Sequence, residues 1–230
     1  MRLQYFSAIF ARHFRIIGGE NAGLHEFPYF ASFRWISSNI HFCGGAIVSQ
    51  RYIVTAAHCV SDLHKKKRDV AIYVGVSNKN TSGTMLTIRN IHVDPEYSSI
   101  TNVEQMNRHD FSIVKETIIF NEAQNKVELE NQEIRENDLV LLSGWGSISY
   151  PNNDFADILQ KTTMRILDNN KCSQRVGFVV HYEQVCAFKR KGIGACIGDS
   201  GSPLVINGKL VGISSFVLPC ALGQPDNCLC

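Results

Sequence analysis

Ser200 stands in the run Gly198-Asp199-Ser200-Gly201-Ser202-Pro203, and two upstream segments carry groups able to work with it: Thr55-Ala56-Ala57-His58-Cys59 and Asn107-Arg108-His109-Asp110-Phe111. A serine hydroxyl is a weak nucleophile near neutral pH. It attacks a carbonyl only when an imidazole takes its proton and a buried carboxylate holds that imidazole in the right tautomer. His58 supplies the base and Asp110 the orienting acid, in the chain order His, Asp, Ser. The same geometry is reached elsewhere through different chain orders, so the order itself carries information. The chemistry these residues point to is acyl transfer through an activated serine.

Such side chains need rigid elements to hold them, and the chain offers short strands and turns with few helical periods. Tyr29, Ala31, Phe33 and Trp35 alternate with Phe30, Ser32 and Arg34; Ile53 to Ala57, Val70 to Val76, Leu86 to Val93, Leu139 to Leu142 and Met164 to Leu167 are further β-like runs. Asp110 directly precedes an apolar alternation, Phe111-Ser112-Ile113-Val114, that reads as a strand entering a core. The clearest hairpin is Pro203 to Ile213, where Asn207-Gly208 supplies two residues tolerant of positive φ. Many short strands at regular spacing predict an all-β sandwich or barrel.

At 230 residues the chain is long enough to bury a substantial core. A net charge of +2 gives no reason to invoke nucleic acid or an acidic membrane surface, and no apolar run approaches the length of a membrane span. The one basic block, His64-Lys65-Lys66-Lys67-Arg68, has polar neighbours and reads as a solvated loop. Eight cysteines with no Cys-x-x-Cys pair argue for disulfides and an oxidising compartment over a metal site. The remaining histidines form no ligand spacing, so neither a metal nor another cofactor is expected. Asn80-Thr81-Ser82 is a glycosylation sequon suited to a secreted surface loop.

With Ile16-Ile17-Gly18-Gly19 and Leu142-Ser143-Gly144-Trp145-Gly146 added to the three segments above, the chain from Ile16 to about Asp226 resembles the chymotrypsin/trypsin family of serine endopeptidases, most closely its insect chymotrypsin-like branch. The resemblance implies two antiparallel six-stranded β-barrels, about 16–125 and 126–230, with the site between them. It implies His58, Asp110 and Ser200 as the catalytic triad, and the N–H groups of Gly198 and Ser200 as the oxyanion donors. It pairs Cys43 with Cys59, Cys172 with Cys186 and Cys196 with Cys220. Residues 1–15 become a short leader and propeptide, with cleavage after Arg15 freeing an Ile16 ammonium that pairs with Asp199. The chain would then be a zymogen, cut by a trypsin-like protease, acting on protein or peptide substrates and open to protein inhibitors.

The substrate pocket departs from the family in ways that bear on specificity. The position six before Ser200, an Asp in trypsin-like relatives, is Gly194, which favours apolar or aromatic side chains before the scissile bond. Ser215 lines that pocket by resemblance. Val217 stands where relatives have glycine on the pocket wall and should narrow its mouth, while Asp226 lies where some broadly cleaving relatives carry an acid. Ser202 replaces a usual glycine in a tight turn. Pro225-Asp226-Asn227-Cys228-Leu229-Cys230 ends where relatives continue into a last strand and a C-terminal helix, which predicts an opened second barrel and an uncovered apolar face. Cys228 and Cys230 have no counterpart in the family pattern. The expected function is a secreted, chymotrypsin-like serine endopeptidase; the alternative is a catalytically impaired homologue that binds or regulates other proteins.

Overall fold

The computed structural model describes residues 16–81, 83–97, 108–217, 220–223, 225 and 227–229. In chain order, its first strands are β1 (Glu20–Asn21), β2 (Phe30–Trp35), β3 (His41–Ile47), β4 (Tyr52–Thr55), β5 (Val70–Val74), β6 (Thr84–Thr87), β7 (Asn90–Val93) and β8 (Ser112–Lys115). There follow β9 (Glu128–Leu129), β10 (Leu139–Gly144), β11 (Gln160–Leu167), β12 (Val185–Phe188), β13 (Pro203–Ile206), β14 (Lys209–Phe216) and β15 (Asn227–Leu229). Two α-helices interrupt them, α1 (Ala57–Val60) and α2 (Asn169–Val176).

The strands form two curled sheets. The first runs β6-β5-β2-β3-β4-β8-β7. Only Ile88 and Arg89 separate β6 from β7, so these two act as halves of one bent strand and the sheet closes on itself through the chain. In the second sheet β10, β11, β12, β15, β14 and β13 each pair with the next, and β13 returns to β10. β1 adds to β11, and β9 adds in parallel to β14. The expected barrels are therefore present, and β1 belongs with the second.

The opened second barrel is corrected here. Asn227–Leu229 forms β15, which pairs with Val185–Ala187 of β12 on one side and with Ser214 and Phe216 of β14 on the other. Three residues suffice because the gap between β12 and β14 is one strand wide, and an inserted strand satisfies the edges of both.

The predicted alternation of β2 is real, but both of its faces are buried. Ala31 and Phe33 point into the core of the first barrel with Ile47, Ile53, Ile72 and Val114. Phe30 faces the second barrel and meets Trp145 edge-on at 5.3 Å. Ser32 and Arg34 share that second face and are also buried. The hairpin of β13 and β14 has the expected turn, with φ of 50° at Asn207 and 81° at Gly208. Helix α2 carries start and stop signals in sequence: the Asp168 carboxylate accepts from the N–H groups of Asn170 and Lys171, and Gly177 ends the helix in the left-handed region.

The three expected disulfides, Cys43–Cys59, Cys172–Cys186 and Cys196–Cys220, are formed. In the chain-entropy picture each contributes about 3 kcal/mol. Among the described residues no helix is long and apolar enough to cross a membrane.

Candidate active site

His58 sits in α1, the single helical turn that follows β4, and the Cys43–Cys59 disulfide ties this turn back to β3. Asp110 lies two residues before β8, which pairs with β4, so the pairing of Thr55 with Ser112 delivers the two side chains to one place. The positive φ of His109, 55°, turns the chain just ahead of Asp110. His58 Nδ1 is 2.7 Å from Asp110 Oδ2, and the His58 backbone N–H donates to Oδ1 at 2.8 Å. The carboxylate is fully buried and also accepts the Ser215 hydroxyl at 2.6 Å.

Burial works against a charge on Asp110, but the hydrogen bonds and charge of His58, with the Ser215 hydroxyl, outweigh it and hold the carboxyl below its ordinary value. A carboxylate fixed in this way accepts from Nδ1, and the other ring nitrogen, Nε2, lies 3.7 Å from Cys59 Sγ.

Ser200 reaches the same place from the second barrel, in the turn that precedes β13. The turn is pinned on both sides: Gly44 donates to the Ser200 carbonyl at 2.7 Å, and Gly201 donates to the Ser214 carbonyl at 2.6 Å. Ser200 and His58 line one cleft of about 650 Å³ between the barrels. Gly198 takes a φ of 96°, open only to glycine at little cost. Among the described residues no backbone carbonyl is bonded to the N–H of Gly198 or of Ser200.

Cys43, His58 and Cys59 also bring donor atoms within 4.8 Å of one another, but both sulfurs are spent in the disulfide.

Asp199 points away from the cleft. Its carboxylate is fully buried and accepts from Gly146 N at 2.8 Å and Cys196 N at 3.0 Å. A Cβ at Gly144 or Gly146 would collide with it, which explains the glycines flanking Trp145. Burial pushes the carboxyl up to about 7, against the pull of the two N–H groups. Ile16 is fully buried in the apolar cluster of the second barrel, and Ile17 bridges Gly194, whose N–H donates to its carbonyl at 3.0 Å.

Ser215 and Val217 line the cleft, beside Ser214 and Phe216. Gly194 is buried on the Ile17 bridge and is not among the residues that line the cleft. Arg15 and Asp226 lie outside the described residues, as do Ser82 of the sequon and Cys230. On the other flank of Ser200 the cleft is walled by Trp35 and Phe42, stacked at 5.0 Å, by the exposed Ile197 and by Lys66 from the basic block. Sequence reasoning missed this wall, because Trp35 and Phe42 meet only through the pairing of β2 with β3. It also took Ser215 for a pocket residue alone and overlooked its bond to Asp110.

The trypsin family model matches residues 16–228. Chymotrypsin-2 of Vespa crabro is 35% identical over 212 residues, covering 92% of each chain. Hypodermin-A of Hypoderma lineatum is 31% identical, over 90% of this chain and 79% of its own. Among solved structures, neuropsin, a serine protease expressed in the limbic system of mouse brain, superposes with a TM-score of 0.82 at 25% identity, over 92% of both chains. Fold, site geometry and these matches agree, and the chain belongs to the trypsin family of serine proteases.

Proposed function

We propose that the protein is a secreted serine endopeptidase, made as a zymogen, that cleaves after apolar or aromatic residues. The observation that carries this reading is the His58 imidazole, held by Asp110 at 2.7 Å on the wall of the cleft that Ser200 also lines. Ser200 Oγ attacks the scissile carbonyl while its proton passes to His58 Nε2, and the imidazolium is stabilised by Asp110. The oxyanion is met by the N–H groups of Gly198 and Ser200, which no backbone acceptor among the described residues competes for. Collapse of the tetrahedral species breaks the C–N bond, and His58 returns the proton to the leaving amine. Water then repeats the sequence on the Ser200 ester, releasing the acid and restoring the hydroxyl.

Activation follows from the state of Asp199. In the uncut chain this carboxyl is buried, and no cation pairs with it among the described residues. A cut between Arg15 and Ile16 creates an ammonium at a residue that already packs inside the second barrel. The ammonium supplies the missing counter-charge, and the pair orders the loop from Cys196 to Ser200. Gly194 gives the pocket no carboxylate for Lys or Arg, and Val217 narrows its mouth. The likeness to a wasp chymotrypsin supports the same preference. The three disulfides support folding in an oxidising compartment.

The test is covalent labelling by a fluorophosphonate before and after a light tryptic cut at Arg15, with Ser200→Ala as control. Labelling that appears only after the cut is the expected result. Absence of labelling after a verified cut overturns the reading in favour of a homologue without catalysis.

A further inference from the structure

Arg34 is the one charged side chain on the face of β2 that meets the second barrel, and it is 1% exposed. Among the described residues no carboxylate pairs with it. Its guanidinium lies over the rings of Tyr73, at 4.6 Å, and Trp145, at 5.5 Å, and donates through Nη1 to the Lys79 carbonyl at 3.1 Å and to Asn39 Oδ1 at 3.3 Å. Its Nε donates to Ser32 Oγ at 2.9 Å. Ser32 Oγ is 2.8 Å from His41 Nδ1, and His41 Nε2 is 3.0 Å from the carbonyl oxygen of Gly198. A line of hydrogen bonds thus runs from a buried cation to the residue whose N–H is read above as an oxyanion donor.

The direction of that line is set at both ends. A guanidinium can only donate and a carbonyl oxygen can only accept. His41 Nε2 must therefore carry a proton, and two states of the ring remain. Either Nδ1 is bare and accepts the Ser32 hydroxyl, or the ring is an imidazolium and Nδ1 donates to Ser32. Burial of the ring, reinforced by the Arg34 cation one hydroxyl away, selects the first. We propose that Arg34 is a positioning residue for the oxyanion loop: by donating to Ser32 it commits the Ser32 hydroxyl to His41 Nδ1, and so commits His41 Nε2–H to the Gly198 carbonyl. Anchoring that carbonyl fixes the peptide after Gly198 and, through it, the residue whose φ of 96° aims its N–H.

The charged groups that act on His41 point the same way. Arg34 on β2 and Lys79 on the loop after β5 are both cations, and Trp145 covers the ring at 5.9 Å without offering an acceptor. Burial first, then these charges, push the imidazole down to about 3, although the Gly198 carbonyl pulls the other way. His41 accordingly stays neutral across the range in which an exposed histidine titrates.

The inference rests on the protease reading for its consequence but not for its geometry, and the experiment separates the two. In the cut protein, nitrogen and carbon NMR of the histidine rings, with His41 assigned from a His41→Gln variant, should show a neutral ring protonated on Nε2 from pH 5 to 8. In Arg34→Met the ring stays buried and should remain neutral, but the Ser32 hydroxyl is no longer committed to Nδ1: His41 should lose its uniform Nε2–H tautomer, and kcat should fall about tenfold with KM little changed, the expected loss for a loosened rather than deleted oxyanion donor. Arg34→Lys, which keeps a donor beside Ser32, should keep the Nε2–H tautomer. Ser32→Ala breaks the line while keeping the buried cation, though it removes the acceptor of its Nε, so it gives the same kcat test should Arg34→Met not fold. A parent His41 that titrates above pH 5, or carries its proton on Nδ1, overturns the proposal. So does an Arg34→Met enzyme whose kcat and His41 tautomer match the parent. If cut parent protein does not label at Ser200, the protease reading fails, while the state of the His41 ring still decides the relay.

Discussion

Ser215, on a strand of the second barrel, donates its hydroxyl to Asp110, delivered by the first, at 2.6 Å. The bond crosses the cleft floor, so the orienting carboxylate belongs to both barrels at once. Removing one donor from a buried carboxylate costs about 1–3 kcal/mol. Ser215→Ala should therefore lower stability, raise the Asp110 pKa and slow acylation. The sign is fixed by the direction of the shift. A carboxyl held below its ordinary value contributes stability above that value and loses it as pH falls through the lowered one, so Ser215→Ala should unfold at higher pH than the parent in an acid titration followed by circular dichroism.

Asp110→Asn should leave the fold in place and reduce kcat by about 10⁴-fold, because the amide no longer holds the His58 tautomer. Burst kinetics with an ester substrate, against active-site titration, check whether the loss lies in the acylation step.

Asp199 behaves in the opposite sense in the uncut chain. Its carboxyl is raised to about 7, so the folded chain holds a proton that the unfolded chain has already released. Stability of the uncut protein should fall as pH rises from the ordinary carboxylate range to about 7, then level off. Thermal unfolding from pH 5 to 8 should show this slope in the parent and lose it in Asp199→Asn. The same variant should fail to label after the cut, since an amide gives the Ile16 ammonium no counter-charge.

Ser202 is accommodated because it faces Gly44, where any Cβ would strike its hydroxyl, and its Oγ is buried with no hydrogen-bond partner among the described residues. An orphaned buried hydroxyl is a net cost. Ser202→Ala should raise the melting temperature of the protein by about 2–4 °C, corresponding to about 1 kcal/mol. Scanning calorimetry on both chains checks this, and an unchanged or lower value would mean that the hydroxyl has a partner.

Val217→Gly should widen the pocket mouth. The ratio of kcat/KM for Trp or Tyr over Leu before the cut should rise about tenfold, the scale on which apolar pockets discriminate by a methylene or two. Profiling with a peptide series varied only at that residue gives the ratio directly.

Most strands and two turns were legible because each has a local signature. Gly198-Asp199-Ser200-Gly201 and Asn207-Gly208 state their turns in four and two residues. The apolar, β-branched runs from Leu139 and from Val70 mark strands, although Val70, Ala71 and Ile72 are buried in succession because both faces of β5 are covered. The assignment of cysteine partners and of roles around Ser200 needed the family resemblance, since spacing alone leaves those choices open. The short helix α2 went unread although Asp168 and Gly177 bracket it, because eight residues hold too little periodicity to stand out.

What the sequence determined by itself is the kind of chemistry: a serine, a histidine and an aspartate in a given order, with glycines where backbone must turn. Tertiary structure decided which polar groups are buried and what they touch. Ser32 and Arg34 alternate with core residues as solvent-facing side chains do, yet the second barrel closes over them. Ser215 reads as pocket lining, yet the crossing of the barrels places it on Asp110. Asn227–Leu229 is too short to announce a strand, yet it completes a ring because both neighbours already present their edges. Period and motif report how a segment meets its own neighbours in the chain, whereas burial at an interface depends on a second surface encoded more than a hundred residues away.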